Sequence, residues 1–277
     1  TIPAASADAE TEVACDEYDA TEPYGNFTAS DACSEVTVEI TDMAGSGACA
    51  GSYSRTYTIT DECGNDTLVY QIINLTDEVA PSFDIACPDN VDLVADGDCN
   101  ADTSVETHGS ATFSNVMDNC DDEVDMEVSS SDEIAYGCQG SYTISRTWTI
   151  TGTDHCDNTT EKTCVQTITV SDETAPTISG GANALVECDG SGNTDELNAW
   201  LADNGGATAT DNCSAVSWSH SDATLSDACG ATGTVDVVFT ATDECNNSAS
   251  ITLTFTIEDT TPPSLSIEGP ANQNLDQ

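Results

Sequence analysis

A seven-residue stretch that recurs along the chain constrains the fold more than any other feature. TDECGND, at 60–66, follows an alternating run and returns as TDHCDNT at 153–159 and TDECNNS at 242–248. A second marker recurs in phase, as DEVAPSF from Asp77, DETAPTI from Asp172 and DTTPPSL from Asp259. Markers that return in a fixed order are typical of tandem modules. The chain therefore contains three copies of one module.

The markers also predict where each module begins and ends. We predict repeats at 1–80, 81–175 and 176–262, with 263–277 as the first strand of an incomplete fourth repeat. Thr1 aligns with Thr177, just after the Ala-Pro of a boundary. We therefore expect the sequence to be an internal piece of a longer repetitive protein.

The charge of the chain restricts its partners. There are 3 Lys and Arg residues against 51 Asp and Glu residues, which gives a formal net charge of -48. This charge excludes nucleic acid and anionic membrane surfaces as partners, and it favours cations. Hydrophobic residues make up 38% of the chain and charged residues only 19%, a composition that indicates folded domains rather than disorder.

Short alternating runs separated by turn residues predict an all-β chain. In the second repeat we assign strands A, B, C, F and G to IACPDNVDLVAD, SATFSNV, EVDMEVSS, SYTISRTWTIT and CVQTITVSDE. This pattern predicts tandem immunoglobulin-like β-sandwich domains. One exception lies at 193–206, where Leu197, Trp200 and Leu201 have helical spacing. We predict a short helix there, inserted between strands A and B of the third repeat.

The 14 cysteines indicate an extracellular protein stapled by disulfides. The three predicted repeats hold four, six and four of them, an even number in each, as expected of an oxidised framework confined to each domain. Structural zinc is the alternative, but zinc sites favour cysteines separated by only two to four residues. The two cysteines nearest to each other in this sequence, Cys156 and Cys164, are eight positions apart. The spacing therefore favours disulfides.

Chain geometry predicts which cysteines pair. The B-C and F-G turns of such a sandwich lie at one end, which pairs Cys120 with Cys156. An extended strand F of about 35 Å separates Cys138 from Cys156, so we assign Cys138 to Cys99 at the opposite end. The last two cysteines of this repeat, Cys87 and Cys164, then join strands A and G. The same argument predicts the pairs Cys33–Cys63, Cys15–Cys49, Cys213–Cys245 and Cys188–Cys229.

Aspartates beside these cysteines predict a cation site. An Asp lies two residues before each B-C cysteine and each F-G cysteine, at positions 31, 118, 211, 61, 154 and 243. Like charges drawn together repel unless they are protonated or bridged. We predict calcium at each repeat junction, with candidate ligands Asp77, Glu78, Asp118, Asp154 and Asp157 at the first and Asp172, Glu173, Asp211, Asp243 and Asn246 at the second. The alternative is that these residues form turns on a salt-adapted surface.

The second repeat, with CPDNVDLVADGDC, MDNC and CVQTITVSDETAPT, resembles the hyalin-repeat-like immunoglobulin modules of large secreted surface proteins, especially of marine and gliding Bacteroidetes. The third repeat, with LNAWLADNGGATATDNC, is similar to another variant of these arrays. The resemblance implies an extracellular adhesive or filament-forming role, often with calcium. It implies no catalytic residues.

These observations predict a non-enzymatic stalk or filament segment of a cell-surface adhesin. The three histidines fall in unrelated places and no catalytic motif is present. The expected partners are neighbouring repeats of the same long chain or filament, and we predict no insertion into a membrane. Two alternatives stay open: a polymer subunit that lends a strand to the next molecule, and a carbohydrate-binding module. A surface glycan or a protein receptor is a further possible partner.

Overall fold

The computed structural model describes residues 4–45, 49–120, 122–226 and 230–265. The first repeat has six strands: β1 (Ala4–Ser6), β2 (Glu10–Ala14), β3 (Thr28–Ser30), β4 (Val36–Gly45), β5 (Ser52–Asp61) and β6 (Asp66–Thr76). Strand β1 pairs antiparallel with β3, and the other four form a sheet in the order β2-β6-β5-β4. Within this sheet β2 runs parallel to β6, and β5 is antiparallel to both of its neighbours.

The second and third repeats have the same topology. The second contains β7 (Ser82–Ala86), β8 (Val91–Val94), β9 (Thr112–Met117), β10 (Asp125–Tyr136), β11 (Tyr142–Thr153) and β12 (Thr159–Ser171). The third contains β13 (Thr177–Gly180), β14 (Ala184–Glu187), β15 (Ala207–Thr210), β16 (Ser217–His220), β17 (Gly233–Thr242) and β18 (Ser248–Glu258). The two-stranded sheets are β7-β9 and β13-β15, and the four-stranded sheets are β10-β11-β12-β8 and β14-β18-β17-β16. The predicted all-β tandem architecture is confirmed.

Strand A differs from the prediction because it is divided in two in every repeat. In the second repeat the predicted strand is interrupted between β7 and β8, where Pro88 lies in the sequence CPDN. Proline has no N–H to donate, and Asp and Asn favour turns. Strand β7 therefore pairs with β9, and β8 pairs with β12 in the other sheet.

The predicted helix of the third repeat is present as α2 (Thr194–Ala202). Leu197, Trp200 and Leu201 pack against a core that contains Phe239 and Phe255. The equivalent connection of the second repeat holds one helical turn, α1 (Val105–His108), which the sequence did not predict. No helix in the described part of the chain is long and apolar enough to cross a membrane.

The chain forms two compact units. One comprises residues 1–91, 103–134 and 144–168, and the other 92–102, 135–143 and 169–277. The first unit has cores around Ile73 and Trp148, and the second has a core around Phe239. The boundaries that we predict for the three repeats are not tested by this division and stay a prediction.

A buried ion pair lies in the first repeat. The Arg55 side chain is fully buried; its Nε donates to Asp42 Oδ1 at 2.7 Å and its Nη2 to Asp42 Oδ2 at 2.6 Å. The guanidinium also lies over the rings of Tyr18 and Tyr24. Arg146 pairs with Asp132 in the second repeat. Each arginine therefore neutralises one acidic neighbour.

Candidate functional site

Two disulfides join the first repeat to the second. Cys15 follows β2 directly and is bonded to Cys120 in the B-C turn of the next repeat, with the two Cα atoms 5.8 Å apart. Cys49 precedes β5 and is bonded to Cys156 in the next repeat's F-G turn, with a Cα separation of 4.8 Å. Both bridges therefore cross the repeat junction.

The second junction has the same pattern. Cys99 is bonded to Cys213 and Cys138 to Cys245, with Cα separations of 5.2 and 5.3 Å. Cys213 is buried against Ala95 and Val170 of the second repeat. The contact is close at Gly140, where an added Cβ would lie 2.9 Å from the Cβ of Cys213. Gly140 also has a φ of +91°, which favours glycine.

These bridges correct the predicted pairings within repeats. The structure does not have the pairs Cys15–Cys49, Cys120–Cys156, Cys99–Cys138 or Cys213–Cys245, and Cys33 and Cys63 have no disulfide partner among the residues that it describes. The prediction placed both cysteines of each pair at one end of a sandwich. For the eight cysteines of the four cross-junction bridges, the partner instead lies on the neighbouring repeat.

Two predicted pairs remain. The structure joins Cys87 to Cys164 as predicted, with a Cα separation of 6.0 Å. Cys188 is half-buried and has no disulfide within the described residues, and its predicted partner Cys229 lies outside them. The five bridges indicate an oxidising compartment, such as the space outside the cell.

The segments that connect successive repeats, 77–81 and 172–176, are called linkers here. An asparagine side chain attaches each linker to the F-G turn of the repeat that follows it. Asn158 Nδ2 donates to the Asp77 carbonyl at 3.1 Å and to Asp154 Oδ2 at 2.9 Å. Asn247 Nδ2 donates in the same way to the Asp172 carbonyl at 3.0 Å and to Asp243 Oδ2 at 2.8 Å. Neither asparagine is among the predicted site residues, although an Asn four residues after the F-G aspartate is a signal shared by all three repeats.

The first residue of each linker, Asp77 or Asp172, is buried, and one of its two carboxylate oxygens accepts no hydrogen bond from a described residue. Asp77 Oδ1 accepts the Val79 N–H and Asp172 Oδ1 accepts the Thr174 N–H, each at 3.0 Å. The exposed fractions of Asp77 and Asp172 are 8% and 5%, yet neither Oδ2 has a hydrogen-bond partner among the residues that the structure describes. A buried carboxylate oxygen without a partner is costly, so these atoms favour a cation beside them.

Carboxylates from different turns meet at these oxygens. At the second junction, Asp172, Asp211 and Asp243 have carboxylate oxygens within 4.8 Å of one another, and at the first junction Asp77 and Asp154 lie within the same distance. Burial raises the pKa of Asp77, and the charges of Asp118 and Asp154 raise it further. The sulfurs of Cys15, Cys120 and Cys156 lie close by, but a disulfide sulfur is not a thiolate ligand.

The remaining candidate ligands lie at the surface. Glu78, Asp157 and Glu173 are exposed and belong to neither of these carboxylate groups, and Asn246 is exposed as well. Asp157 and Asn246 have φ values of +64° and +70°, respectively, a conformation that Asp and Asn tolerate in turns. For these two residues the geometry favours a role as turn formers.

The donor set fits a hard cation. The grouped atoms that can act as ligands are carboxylate oxygens, which suit calcium or magnesium better than zinc. Calcium usually takes six to eight oxygens at about 2.3 to 2.6 Å, and waters complete such a shell. Asp172, Asp211 and Asp243 would hold the ion at the second junction, and Asp77 and Asp154 at the first, where the charge of Asp118 also acts on Asp77.

Solved structures similar to this chain include cadherin repeats. The protocadherin gammaB7 EC3-6 cis-dimer structure is 14% identical, covers 90% of this chain and 72% of its own, and has a TM-score of 0.35. Drosophila N-cadherin EC1-4 is 12% identical, covers 90% and 73%, and has a TM-score of 0.28. Mouse cadherin-23 EC22-24 is 12% identical, covers 91% and 96%, and has a TM-score of 0.34.

These TM-scores are too low to carry an argument about this chain. No protein-family model and no curated protein matches it.

Proposed function

We propose that this chain is a structural, non-enzymatic stalk or filament segment of an extracellular cell-surface adhesin. Paired disulfides and junction-bound calcium hold its successive repeats in one orientation. The observation that carries the proposal is the pair of bridges at each of two consecutive junctions. The resemblance to hyalin-repeat-like modules of Bacteroidetes belongs to the same proposal.

Two bridges restrict a junction in a way that one cannot. A single covalent link lets two bodies rotate about it, whereas a second link at a different point removes most of that freedom. At the first junction the links start from separate places on the first repeat, one after β2 and one before β5. The hydrogen bond from Asn158 to the linker carbonyl restricts the connecting segment itself. A junction tied in this way transmits bending and tension rather than absorbing them.

Calcium would remove a repulsion that the fold creates. Two carboxylates 4.8 Å apart repel each other by about 1 kcal/mol in water and by about 3 to 4 kcal/mol at a partly buried site. A divalent cation between them replaces this repulsion with attraction. Extracellular modules bind calcium with dissociation constants of about 10⁻⁴ to 10⁻³ M, which calcium outside cells is concentrated enough to fill. Loss of the ion is expected to loosen the junction.

Calcium calorimetry combined with small-angle scattering tests the proposal. The wild-type chain is compared with Asp77→Asn/Asp172→Asn, and with Asp66→Asn/Asp92→Asn as a control on exposed carboxylates. We expect saturable binding of at least one ion per junction, with the chain stiffening when calcium replaces chelator. The junction variant should bind at least tenfold more weakly, and the control should bind like wild type.

Two results would contradict the calcium part of the proposal. One is equal binding by the wild type and the junction variant, which would place the ions on the general acidic surface. The other is unchanged scattering in calcium and in chelator, which would leave the bridges alone as the source of stiffness.

A further inference from the structure

Both disulfides of the first junction lie beside one buried carboxylate, that of Asp77. A carboxylate oxygen of Asp77 and the sulfurs of Cys15 and Cys120 all lie within 4.8 Å of one another. A carboxylate oxygen of Asp77 also lies within 4.8 Å of the Cys156 sulfur. Cys15–Cys120 and Cys49–Cys156 are separate bridges, so sulfurs of both surround the same linker residue.

Asp77 is the carboxylate of this group with an oxygen available as a ligand. Asp154 lies close to Cys156 as well, but its Oδ1 accepts the Cys156 N–H at 2.8 Å and its Oδ2 accepts the Asn158 side chain at 2.9 Å. Asp77 is only 8% exposed, and its Oδ2 has no hydrogen-bond partner in the described part of the chain. A buried carboxylate oxygen of this kind favours a positively charged ligand.

Reduction changes which cations the junction can bind. The sulfurs of an intact disulfide are not thiolate ligands, whereas reduced cysteines bind zinc as thiolates. Zinc lies about 2.3 Å from sulfur and about 2.0 to 2.2 Å from a carboxylate oxygen, so neighbouring ligand atoms of a tetrahedral site are about 3.6 to 3.8 Å apart. Rotation of the cysteine side chains can bring the sulfurs to this spacing once the S–S bonds are broken.

We propose that reduction of the two bridges converts the first junction into a zinc site formed by Cys15, Cys120, Cys156 and Asp77. Three thiolates and one carboxylate complete a tetrahedral set of ligands. The remaining cysteine of the two bridges, Cys49, is exposed and belongs to no group of candidate ligands among the described residues, so it is not part of the site. In reducing surroundings zinc thus holds the first two repeats together in place of the bridges.

Contacts other than the S–S bonds keep the proposed ligands in place. The Asn158 side chain donates to the Asp77 carbonyl at 3.1 Å, which attaches the linker to the second repeat. The N–H groups of Cys120 and Cys156 donate to the aspartates two residues before them, at 2.9 and 2.8 Å. Cys15 directly follows β2, which is paired with β6. Reduction removes none of these contacts.

Reduction by a phosphine and the binding of zinc balance as follows. The phosphine attacks one sulfur of a bridge, the S–S bond breaks, and the other sulfur leaves as a thiolate that takes up a proton. Water then attacks phosphorus and releases the first sulfur as a thiol, which leaves a phosphine oxide. The two sulfurs gain the two electrons that phosphorus loses. When zinc binds, the three cysteines release their three thiol protons to the buffer.

The first test uses the whole chain, reduced with a phosphine in the absence of oxygen and titrated with zinc. Alkylation followed by mass spectrometry reports each cysteine separately. We expect zinc to protect Cys15, Cys120 and Cys156 and to leave Cys49 as reactive as it is without metal. Equal protection of Cys49 and Cys156, or no protection of the three, would overturn the proposal. A reduced chain that loses its strands, as measured by circular dichroism, would also overturn it.

The second test compares Cys156→Ser with Cys49→Ser. Each variant lacks one cysteine of the same bridge, and that bridge is broken in the reduced wild type as well, so their folding is affected alike. Cys156→Ser should weaken zinc binding by at least about tenfold, the lower end of what even an outer-shell partner of a metal contributes. Cys49→Ser should bind like wild type. Equal zinc affinities of the two variants would refute this set of ligands.

A carboxylate pair completes the comparison. Asp77→Asn removes the proposed oxygen ligand and should also weaken zinc binding by at least about tenfold. Asp66→Asn, on the exposed surface of the same repeat, should leave the zinc affinity unchanged. Undiminished binding by Asp77→Asn would remove Asp77 from the site and contradict the proposal.

The zinc site and the calcium-bound stalk can fail separately. Zinc binding is measured on the reduced chain, whereas calcium binding is measured on the oxidised chain. A lack of zinc protection would leave the proposed stalk standing, because its bridges and its calcium belong to the oxidised chain. A failure of calcium to bind would leave the zinc site standing, because that site depends on thiolates.

Discussion

The cross-junction bridges predict how far the chain can be stretched. Under tension an oxidised chain unfolds, but it extends only along the shortest covalent path between its ends. That path runs from residue 1 to Cys15, across to Cys120, along to Cys138 and across to Cys245 before it reaches residue 277. The other residues lie in closed loops that carry no tension.

The magnitude follows from residue counts. The path contains about 67 residues, which at roughly 3.4 Å per residue span about 230 Å. With all bridges reduced, the 277 residues span about 940 Å. Pairings within repeats, as the sequence had predicted, would leave a path of about 128 residues or about 430 Å.

Single-molecule force spectroscopy with handles at the two ends measures these lengths. We expect a fully stretched length near 230 Å in oxidising buffer, and a gain of about 700 Å when reductant is added. The variant Cys15→Ser/Cys120→Ser should stretch further than wild type because its path must pass through Cys49 and Cys156. An oxidised length near 430 Å would refute the bridges between repeats.

Three further predictions concern side chains at the junctions and in the core. In chelator at pH 7, Asp77→Asn should raise the free energy of unfolding by about 1 to 3 kcal/mol, because repulsion from Asp154 within 4.8 Å is removed. This advantage of the variant in stability should vanish below about pH 3.8 and grow as the pH rises through the raised pKa of Asp77. In about 10 mM calcium it should reverse, since the wild type gains about 1 to 3 kcal/mol from the ion. A variant less stable than wild type in chelator at pH 7 would contradict this. Asn247→Ala should cost about 1 to 3 kcal/mol and speed hydrogen exchange in the linker, whereas Glu244→Gln on the exposed part of the same turn should do neither. Arg55→Met should cost about 3 kcal/mol or more in thermal or denaturant unfolding because it leaves the nearly buried Asp42 carboxylate without its positively charged partner. Burial raises the pKa of Asp42, but hydrogen bonds from Arg55 and Tyr18 outweigh burial and lower it. The stability that the ion pair contributes should therefore be present above about pH 3.8 and be lost as the pH falls through the lowered pKa. An Arg55→Met penalty that does not change with pH would contradict the reasoning.

Local patterns in the sequence were sufficient for the strands and for the helix of the third repeat. Alternating residues on β11 give a period-2 burial pattern, and the helical spacing of Leu197, Trp200 and Leu201 predicts α2. The division of strand A was not predicted, because an alternating run does not show that its two halves pair with different sheets. That choice is made by tertiary hydrogen bonding, with Pro88 marking the interruption.

The candidate site was predictable in its position but not in its contacts. The recurring aspartates identified both junctions, and the structure groups Asp172 with Asp211 and Asp243. Spacing alone did not show that Glu173 and Asn246 lie at the surface, or that Asn247 attaches the linker. These differences depend on which side chains point into the junction once two turns and a linker have converged.

The sequence by itself determined the repeat, the strand types and the end of each sandwich at which the eight cysteines of the cross-junction bridges lie, because these follow from chain connectivity and side-chain periodicity. Only the tertiary structure decided the pairing. Both sets of pairs put the right cysteines at the right ends, and chain length permits both. A disulfide forms between the sulfurs that the folded surfaces bring together, with Cα atoms about 4.4 to 6.8 Å apart. For four of the five bridges those surfaces belong to successive repeats, so these four bridges join one repeat to the next, whereas Cys87–Cys164 lies within the second repeat.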